Sequence, residues 1–418
     1  MHAFRTPRFF QRLVGDFSSR PRADCPDALR PHNALLPQYG IVTAPLARVP
    51  VSASTRDGEN RNEDLPSESY RQLDDIAPFW QALEGDITSP IQQCLWSESC
   101  YATLPLDGEL HCVVVKTGPR RGAVAPLVRA KGVLGRLEHL GVKILREPTD
   151  LVFSDPVAIK HLANALLRLG SPLFLERIPA DSPTVAAIRD AYRGRGLVLI
   201  RRAQPYPRIL LHQGWWKPES QLNSGRRSDL RRAVRNAEKI GPLSYQILSP
   251  TPSQLGPILE EALDVEAANW KGSEGSAIAY DKLRGQFYRH YAAAACAAGI
   301  LRVCFLRVGS KTVAMQLALE CAGSFWLLKI GYREEFARYS PGMLLIAETI
   351  RYAASKGLAS YEFLGNAENW TRTWTQDEMQ SVTIRAYPFR TRGAAALLAD
   401  AFQAALRRFE ETLKRKKK

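Results

Sequence analysis

The sequence lacks any apolar run that approaches the roughly 20 residues a helix needs to span a bilayer. Its basic N-terminus also lacks the apolar core of a secretory signal. The seven cysteines include no CxxC pair, and their odd number favours reduced, buried thiols. We therefore expect a cytoplasmic protein, with the surface of the inner membrane as a candidate location because both ends of the chain are basic.

The sequence also lacks the motifs of several common metal, catalytic and nucleotide-binding sites. No spacing of Cys and His matches a metal site, so no metal is expected, and no Ser–His–Asp arrangement, Walker loop or GxGxxG occurs. Acidic residues are also scarce, with 42 Asp and Glu against 57 Lys and Arg and a net charge of +15. This excess favours an anionic partner, which could be nucleic acid, anionic lipid or a phosphate-bearing cofactor.

What is present fits two folded units of the α/β (α+β) class. With 418 residues the chain is long enough for two or three domains. Composition predicts a disordered or loosely packed segment over residues 1–65, a first unit over 66–211, a second over 212–392, and an amphipathic helix with a basic tail over 393–418. The units share a helix, a glycine and a strand with a glutamate, which is Glu176 in the first and Glu362 in the second.

The first candidate site is the start of a helix at Tyr339–Met343 (YSPGM), directly after a predicted three-stranded meander. Ser340 suits an N-cap, Pro341 suits the first helical position, and Gly342 lets a ligand approach the backbone. The free N–H groups of the first turn, which reaches Met343, would face an anion such as a pyrophosphate. The alternative is a well-made helix start without a ligand.

A second candidate pairs Glu266 with Trp270, which lie four residues apart on one helix face and precede Lys271. A carboxylate beside an indole in a dry pocket would have a raised pKa and could act as a base. The alternative is a surface glutamate and a core tryptophan.

The third candidate follows the next strand, where Glu362 precedes a glycine turn and two tryptophans, Trp370 and Trp374. Two exposed tryptophans would indicate a pocket wall, and Lys329 and Tyr332 are expected to point at the same cleft. The alternative is that both tryptophans plug the sheet.

A fourth pattern is a basic stripe, formed by Arg227, Arg231, Arg235 and Lys239 at every fourth residue. Such a stripe could bind phosphates of a nucleic acid or a nucleotide. Acidic residues are interleaved, however, and no stacking aromatics lie within the helix, which favours a solvated face. Nucleic acid is therefore not expected as the main partner.

Across about residues 70–390 the chain resembles a known family, the CelD-type, Fem-related branch of the GNAT acyl-CoA N-acyltransferases. The matching positions are Glu266, Trp270-Lys271-Gly272, Gly275, Ala277-Ile278, Lys329, Gly331-Tyr332, Phe336, Tyr339-Ser340-Pro341-Gly342, Tyr361 and Phe363-Leu364-Gly365. The chain departs from the family where Thr371-Arg372 replaces a common Lys, and its YSPG has fewer glycines than the usual GNAT phosphate loop.

The resemblance implies two tandem GNAT-like units with mixed, mostly antiparallel sheets flanked by helices. It implies a transferase that moves an acyl group from acetyl-CoA or another acyl-CoA to an amine or hydroxyl of a small-molecule or glycan acceptor. Members are associated with cell-surface polysaccharides, including cellulose, so a polysaccharide synthase or a membrane surface is a candidate partner. Fem relatives instead use aminoacyl-tRNA, and a catalytically silent scaffold with the same fold is a third alternative.

Site roles follow from the motifs and the resemblance together. Glu266 or Glu362 is the expected base, and Tyr332 or Tyr339 the expected acid for the leaving thiolate. The expected cofactor contacts are Lys329, Ser340, Gly342 and Met343. The expected substrate contacts are Trp270, Lys271, Trp370 and Trp374.

Overall fold

A computed structural model describes residues 65–268 and 281–416. Its strands are β1 (Ser67–Tyr70), β2 (Gly108–Gly118), β3 (Arg121–Ala130), β4 (Leu137–His139), β5 (Val152–Phe153), β6 (Leu173–Pro179), β7 (Gly196–Arg202), β8 (Tyr206–Leu210), β9 (Leu243–Leu248), β10 (Leu301–Val308), β11 (Lys311–Cys321), β12 (Ser324–Tyr332), β13 (Ser360–Glu362), β14 (Glu378–Met379) and β15 (Ser381–Pro388).

The α-helices of the described residues precede, separate or follow these strands along the chain. They are α1 (Ala77–Leu83), α2 (Cys94–Thr103), α3 (Val142–Leu145), α4 (Pro156–Arg168), α5 (Pro183–Tyr192), α6 (Ser224–Glu238), α7 (Pro252–Ala267), α8 (Lys282–Ala297), α9 (Pro341–Ser355) and α10 (Thr391–Lys416). The meander, the helix after YSPG and the C-terminal helix all form where the sequence predicts them, with ends within a few residues.

The strands form two mixed sheets, so the predicted fold class is confirmed. The first sheet has the order β1-β2-β3-β4-β6-β15-β7, with β5 beside β3, and the second has the order β14-β8-β13-β12-β11-β10-β9. Each contains one parallel pair, β4 with β6 and β12 with β13, among antiparallel neighbours. Strand β15 returns to the first sheet between β6 and β7, while β8 pairs with β13 in the second.

Three apolar cores hold these layers together. The inner core lies between the facing sides of the two sheets and contains α2, α7 and α8, where Trp96 meets the rings of Phe287 and Tyr291 edge-on at 4.8 Å. Helices α4 and α5 cover the outer face of the first sheet, and α9 covers that of the second with α6. The second sheet therefore has an inner face toward α7 and α8 and an outer face toward α9.

Candidate functional site

An opening lies between the parallel strands β12 and β13. They pair over only three residues of β12, from Ser324 to Trp326. Strand β13 ends at Glu362, whereas β12 continues for six more residues to Tyr332. Beyond Trp326 the edge of β12 that faced β13 therefore has no strand partner among the described residues, and we call this unpaired edge the opening.

A β-bulge in β12 decides which side chains reach each face. Opposite Leu317 and Ala318 of β11, strand β12 places Lys329 and Leu327, so Leu328 is an extra residue. Lys329 thereby lies on the inner face, where its Nζ is 4.7 Å from the ring centroid of Tyr288 in α8. Tyr332 lies on the outer face beside Gly342 of α9. The expectation that both point at the same cleft is not met, because residues three apart on a regular strand face opposite sides of the sheet.

Helix α9 begins beside the outer mouth of this opening. Ser340 occupies the N-cap position with left-handed backbone angles, φ 50° and ψ 46°, and its hydroxyl makes no capping hydrogen bond. The expected Ser340 cap is therefore wrong, because this backbone geometry turns the side chain away from the first-turn N–H groups. A helix start without a side-chain cap keeps its first-turn donors and the positive end of its dipole available to an anion.

Glu266 is buried at the end of α7 rather than on the surface, with 3% of it exposed. It packs directly on β12: a Cβ added to Gly331 would lie only 2.7 Å from the Cα of Glu266. Glycine at 331 thus allows α7 to approach the strand and places Glu266 beside Gly331, two residues along β12 from Lys329.

Lys329 belongs to a charged cluster on that inner face. Burial lowers the pKa of its ammonium group, and Glu147, the next largest influence, opposes this. Burial likewise raises the pKa of Tyr288 well above its usual range, and Glu147 adds to it. The cluster combines Lys329, Tyr288, Glu147, Glu266 and Arg284, so cationic and anionic groups share a poorly solvated space.

Glu362 is buried on the same inner face, next to Trp326 across the parallel pair. Its Oε1 lies 2.6 Å from the hydroxyl of Ser360, which is 2.8 Å from the hydroxyl of Ser324. Burial raises the pKa of Glu362, while the Ser360 hydrogen bond and the charge of Arg208 oppose the shift. A carboxylate held in this way is poised to accept a proton.

The two tyrosines lie toward the outer face. Burial raises the pKa of Tyr332 to about 12, with a further contribution from Glu334, so its phenol remains protonated near neutral pH. Tyr339 is buried against the outer core, and Arg338 stacks on its ring at 4.7 Å. Both tyrosines flank the start of α9, whereas both candidate bases lie on the inner face.

The tryptophans do not form an exposed wall. Trp374 is 4% exposed and lies in the outer core, and the ring of Trp370 packs edge-on against Phe363. The expectation of two exposed tryptophans is therefore wrong for Trp374, which plugs the sheet. Met343 also packs against the outer core. Trp270 and Lys271 lie outside the described residues.

The first sheet contributes residues that the sequence did not indicate. Glu147 accepts a hydrogen bond from the backbone N–H of Gly365 at 3.1 Å, and Arg177 donates to the carbonyl oxygen of Gly365. Arg177 has a left-handed φ of 55°, unusual for a non-glycine residue. These contacts fix the loop after β13 at the edge of the opening. No periodicity marks Glu147, and only the contact between the two sheets reveals its position.

The basic stripe lies on α6, which packs near the start of α9. Arg231, Arg235 and Lys239 are exposed, while Ala233 and Ala237 face the outer core. Arg232 forms an ion pair with Asp229 at 2.6 Å. Most of the stripe is therefore a solvated, positively charged face.

The second-sheet residues of this site lie in a segment whose sequence matches a known family model. Residues 224–372 match the family model described as "Acetyltransferase (GNAT) domain". The match spans α6 to the loop after β13 and thus contains both parallel strands, the opening and the start of α9. The chain matches no curated protein sequence.

Similar solved structures include FemX, which has a TM-score of 0.51 and 11% identity over 77% of this chain and 97% of FemX. L-PGS from Bacillus licheniformis gives a TM-score of 0.47 at 10% identity, covering 77% of this chain and 95% of that one. A tandem GNAT protein from the clavulanic acid biosynthesis pathway gives 0.43 at 12% identity, covering 77% and 98%. At 11% identity the FemX likeness concerns the fold alone and does not indicate a substrate.

In the part of the chain that the structure describes, no group of three or more His, Cys, Asp or Glu side chains is arranged to hold a metal ion. No described helix is both long and apolar enough to cross a membrane.

Proposed function

We propose that the protein is an acyltransferase that moves an acyl group from an acyl-CoA to an amine or hydroxyl acceptor. The observation that carries the proposal is the uncapped start of α9 beside the opening between β12 and β13, inside the segment that matches the GNAT domain model. In this proposal the unit predicted over residues 212–392 binds the cofactor and the unit predicted over 66–211 supports it, although β8 joins the second sheet and β15 the first.

The start of α9 would bind the CoA pyrophosphate through first-turn backbone N–H groups at Gly342 and Met343. The pantetheine arm would then pass through the opening, since β12 has no parallel partner beyond Trp326. That route leads the thioester from the outer face toward Lys329 on the inner face. The proposal therefore places phosphate binding and the candidate tyrosine proton donors on the outer face of the sheet, and the candidate bases on its inner face.

The chemistry requires a base and a proton donor. Glu266 or Glu362 takes a proton from the acceptor as its nitrogen or oxygen forms a bond to the acyl carbon and the carbon–sulfur bond breaks. Tyr332 or Tyr339 gives a proton to the departing thiolate. Both carboxylates are buried on the inner face, which favours them for the acceptor side.

A glycan or another small molecule with an amine or hydroxyl is the proposed acceptor, with a role in cell-surface polysaccharide production. This part of the proposal rests on the residues that resemble the CelD-type branch, above all the run from Lys329 to Gly342. Acetyl-CoA is the first acyl donor to test.

The test is thermal unfolding of the purified chain with free CoA, acetyl-CoA and longer acyl-CoAs. A ligand that binds only the folded state adds about 2.7 kcal/mol of stability at a hundred times its dissociation constant. We expect a shift with CoA thioesters, its loss in Gly342→Glu, and its retention in Gly342→Ala. Alanine is a matched control, because a Cβ at this position would meet Tyr332 and Ile330 at 3.5 and 3.7 Å, which is ordinary contact. No shift with any CoA compound would contradict the proposal and favour the silent scaffold.

A second candidate is a Fem-like transferase that uses aminoacyl-tRNA. The exposed Arg231, Arg235 and Lys239 on α6 favour it, because a positive face binds phosphates. It predicts tRNA binding that weakens steeply with salt, with no response to acetyl-CoA. A triple Arg231→Gln, Arg235→Gln, Lys239→Gln variant should then lose tRNA binding, whereas the acyl-CoA proposal predicts no tRNA binding to lose.

A further inference from the structure

An apolar stripe runs along the exposed side of α10. Its members are Leu398, Phe402, Leu406 and Phe409, which are 71%, 66%, 47% and 63% exposed. Residues three or four apart share one helix face, so these four side chains are neighbours. At 1.5 Å per residue the stripe is about 16 Å long. We call it the α10 stripe.

The opposite side of the helix is fixed to the first sheet. Asp400 accepts hydrogen bonds from Arg136 at 2.7 Å, from the phenol of Tyr387 at 2.6 Å and from Arg385 at 3.1 Å. Gly393 is buried, and a Cβ there would lie 1.9 Å from the carbonyl oxygen of Pro388. Asp400 is about 160° around the helix from the middle of the stripe, at 100° per residue. The stripe is therefore held facing outward and cannot turn into the protein core.

Four large, neighbouring apolar side chains in water are costly and usually mark a surface that binds something. Phe389, just before the helix, is a further exposed apolar side chain, at 68%. A helix that only covered the first sheet would need apolar residues on its Asp400 side alone. The α10 stripe therefore indicates a binding surface, and we call whatever covers it the occupant of the stripe.

Charge around the stripe indicates which occupant fits. Exposed arginines lie at both ends of the described part of the helix, Arg390 and Arg392 at one and Arg407 and Arg408 at the other. Over residues 389–418 the sequence has nine basic and three acidic residues, and positions 414–418 are all Lys or Arg. One of the acidic residues, Asp400, already pairs with Arg136 and Arg385. The surface is thus apolar in its middle and strongly cationic around it.

An apolar helix face flanked by Arg and Lys matches the boundary of an anionic bilayer, where the apolar side chains enter the acyl region and the cations meet lipid phosphates. A second copy of the chain fits less well, because it would bring the same excess of positive charge. We propose that α10 docks the protein on the surface of a membrane that contains anionic phospholipid. This inference is independent of the proposed acyl transfer.

The test is co-sedimentation of the full chain with vesicles of phosphatidylcholine alone and with 30 mol% phosphatidylglycerol. We expect binding to the anionic vesicles only, weakened by salt, and about 100-fold weaker binding in the double variant Phe402→Gln, Phe409→Gln. Ile240→Gln is the matched control, since Ile240 is 56% exposed at the end of α6, away from the stripe, and should leave binding unchanged. Both sets of side chains are exposed, so the variants should fold, which circular dichroism can check.

A second readout uses Phe402→Trp, whose emission should shift to shorter wavelength with anionic vesicles as the indole enters the acyl boundary. Equal binding to both vesicle types, or no effect of the double glutamine variant, would overturn the proposal. So would a dimer in sedimentation velocity that the double variant dissociates while neither form binds vesicles. That result would make a second copy of the chain the occupant of the stripe.

Discussion

Helices α4 and α9 hold matching places in the two halves, because each lies between the two strands of a parallel pair. In the first half, Asp155 caps α4 and its carboxylate accepts hydrogen bonds from the N–H groups of Val157 and Ala158, both at 2.9 Å. In the second half, Ser340 leaves the start of α9 without a side-chain cap. The Asp155 carboxylate thus occupies the start of α4, whereas the start of α9 has no capping side chain and its N–H groups are available to an external anion.

The first strand of each parallel pair also differs between the two halves, in its length beyond the pairing. Strand β4 ends at His139, one residue after its pairing with β6, whereas β12 runs six residues past its pairing with β13. The first half therefore has neither the opening nor the free helix start. The comparison makes the second half the one to test for acyl-CoA binding.

Removal of the proposed base should have the largest effect. Glu362→Gln or Glu266→Gln should lower kcat by about 100- to 10,000-fold, the usual range for a general base. The matched control is Glu176→Gln, because Glu176 holds the corresponding place on β6 and should leave kcat within about twofold. Steady-state assays with acetyl-CoA, once an acceptor is known, give the measurement.

If both Glu362→Gln and Glu266→Gln keep full turnover, neither carboxylate is the base. If Glu176→Gln is as damaging as Glu362→Gln, the two halves are not functionally different, and the comparison fails.

The pH dependence should separate Glu362 from Glu266. The base works when ionised, and burial raises the pKa of Glu362, so activity should fall as pH drops through a value above the usual range of a glutamate. The same shift means that ionisation of Glu362 costs stability as pH rises, so Glu362→Gln should be at least as stable at pH 7. A pH–rate profile with and without Glu362→Gln, together with thermal unfolding, tests both statements. If the variant loses activity at low pH in the same way as the wild type, a group other than Glu362 causes that loss.

A negative charge at the start of α9 should weaken acyl-CoA binding. Ser340→Asp adds a carboxylate at the N-cap position, and aspartate tolerates the left-handed backbone angles found there. We expect the dissociation constant for CoA to rise about tenfold or more, because the new charge opposes the pyrophosphate. Ser340→Asn is the neutral control of the same shape and should bind normally. Titration calorimetry measures both, and equal affinities would remove the start of α9 from the phosphate site.

Much of this fold could be predicted from local patterns. The meander, the helix after YSPG and the amphipathic C-terminal helix follow from alternation, capping residues and 3.6-residue periodicity, which are short-range signals. The bulge at Leu328 gave no such signal, although it decides that Lys329 reaches the inner face and Tyr332 the outer one. The left-handed backbone of Ser340 was missed for a related reason, because serine before proline reads as an ordinary N-cap.

The parts that could not be predicted depend on contacts between distant segments. Glu147 and Arg177 reach Gly365 only because the two sheets face each other across the inner core. The sequence around Trp374 is the same whether the side chain lines a pocket or packs in a core. Its burial in the outer core depends on packing against distant residues. Contacts between distant segments thus determine where the site residues lie more than they determine which segments form helices and strands.

The smallest expected effect concerns the first half itself. Asp155→Ala removes the cap of α4 and should cost about 1 kcal/mol of stability, measured by denaturant unfolding, with CoA affinity unchanged. It should not create a second CoA site, because β4 is too short to leave an opening beside β6. A second binding event in calorimetry, absent from the wild type, would show that the Asp155 carboxylate alone closes the first half, and that the two halves differ by a cap rather than by the length of a strand.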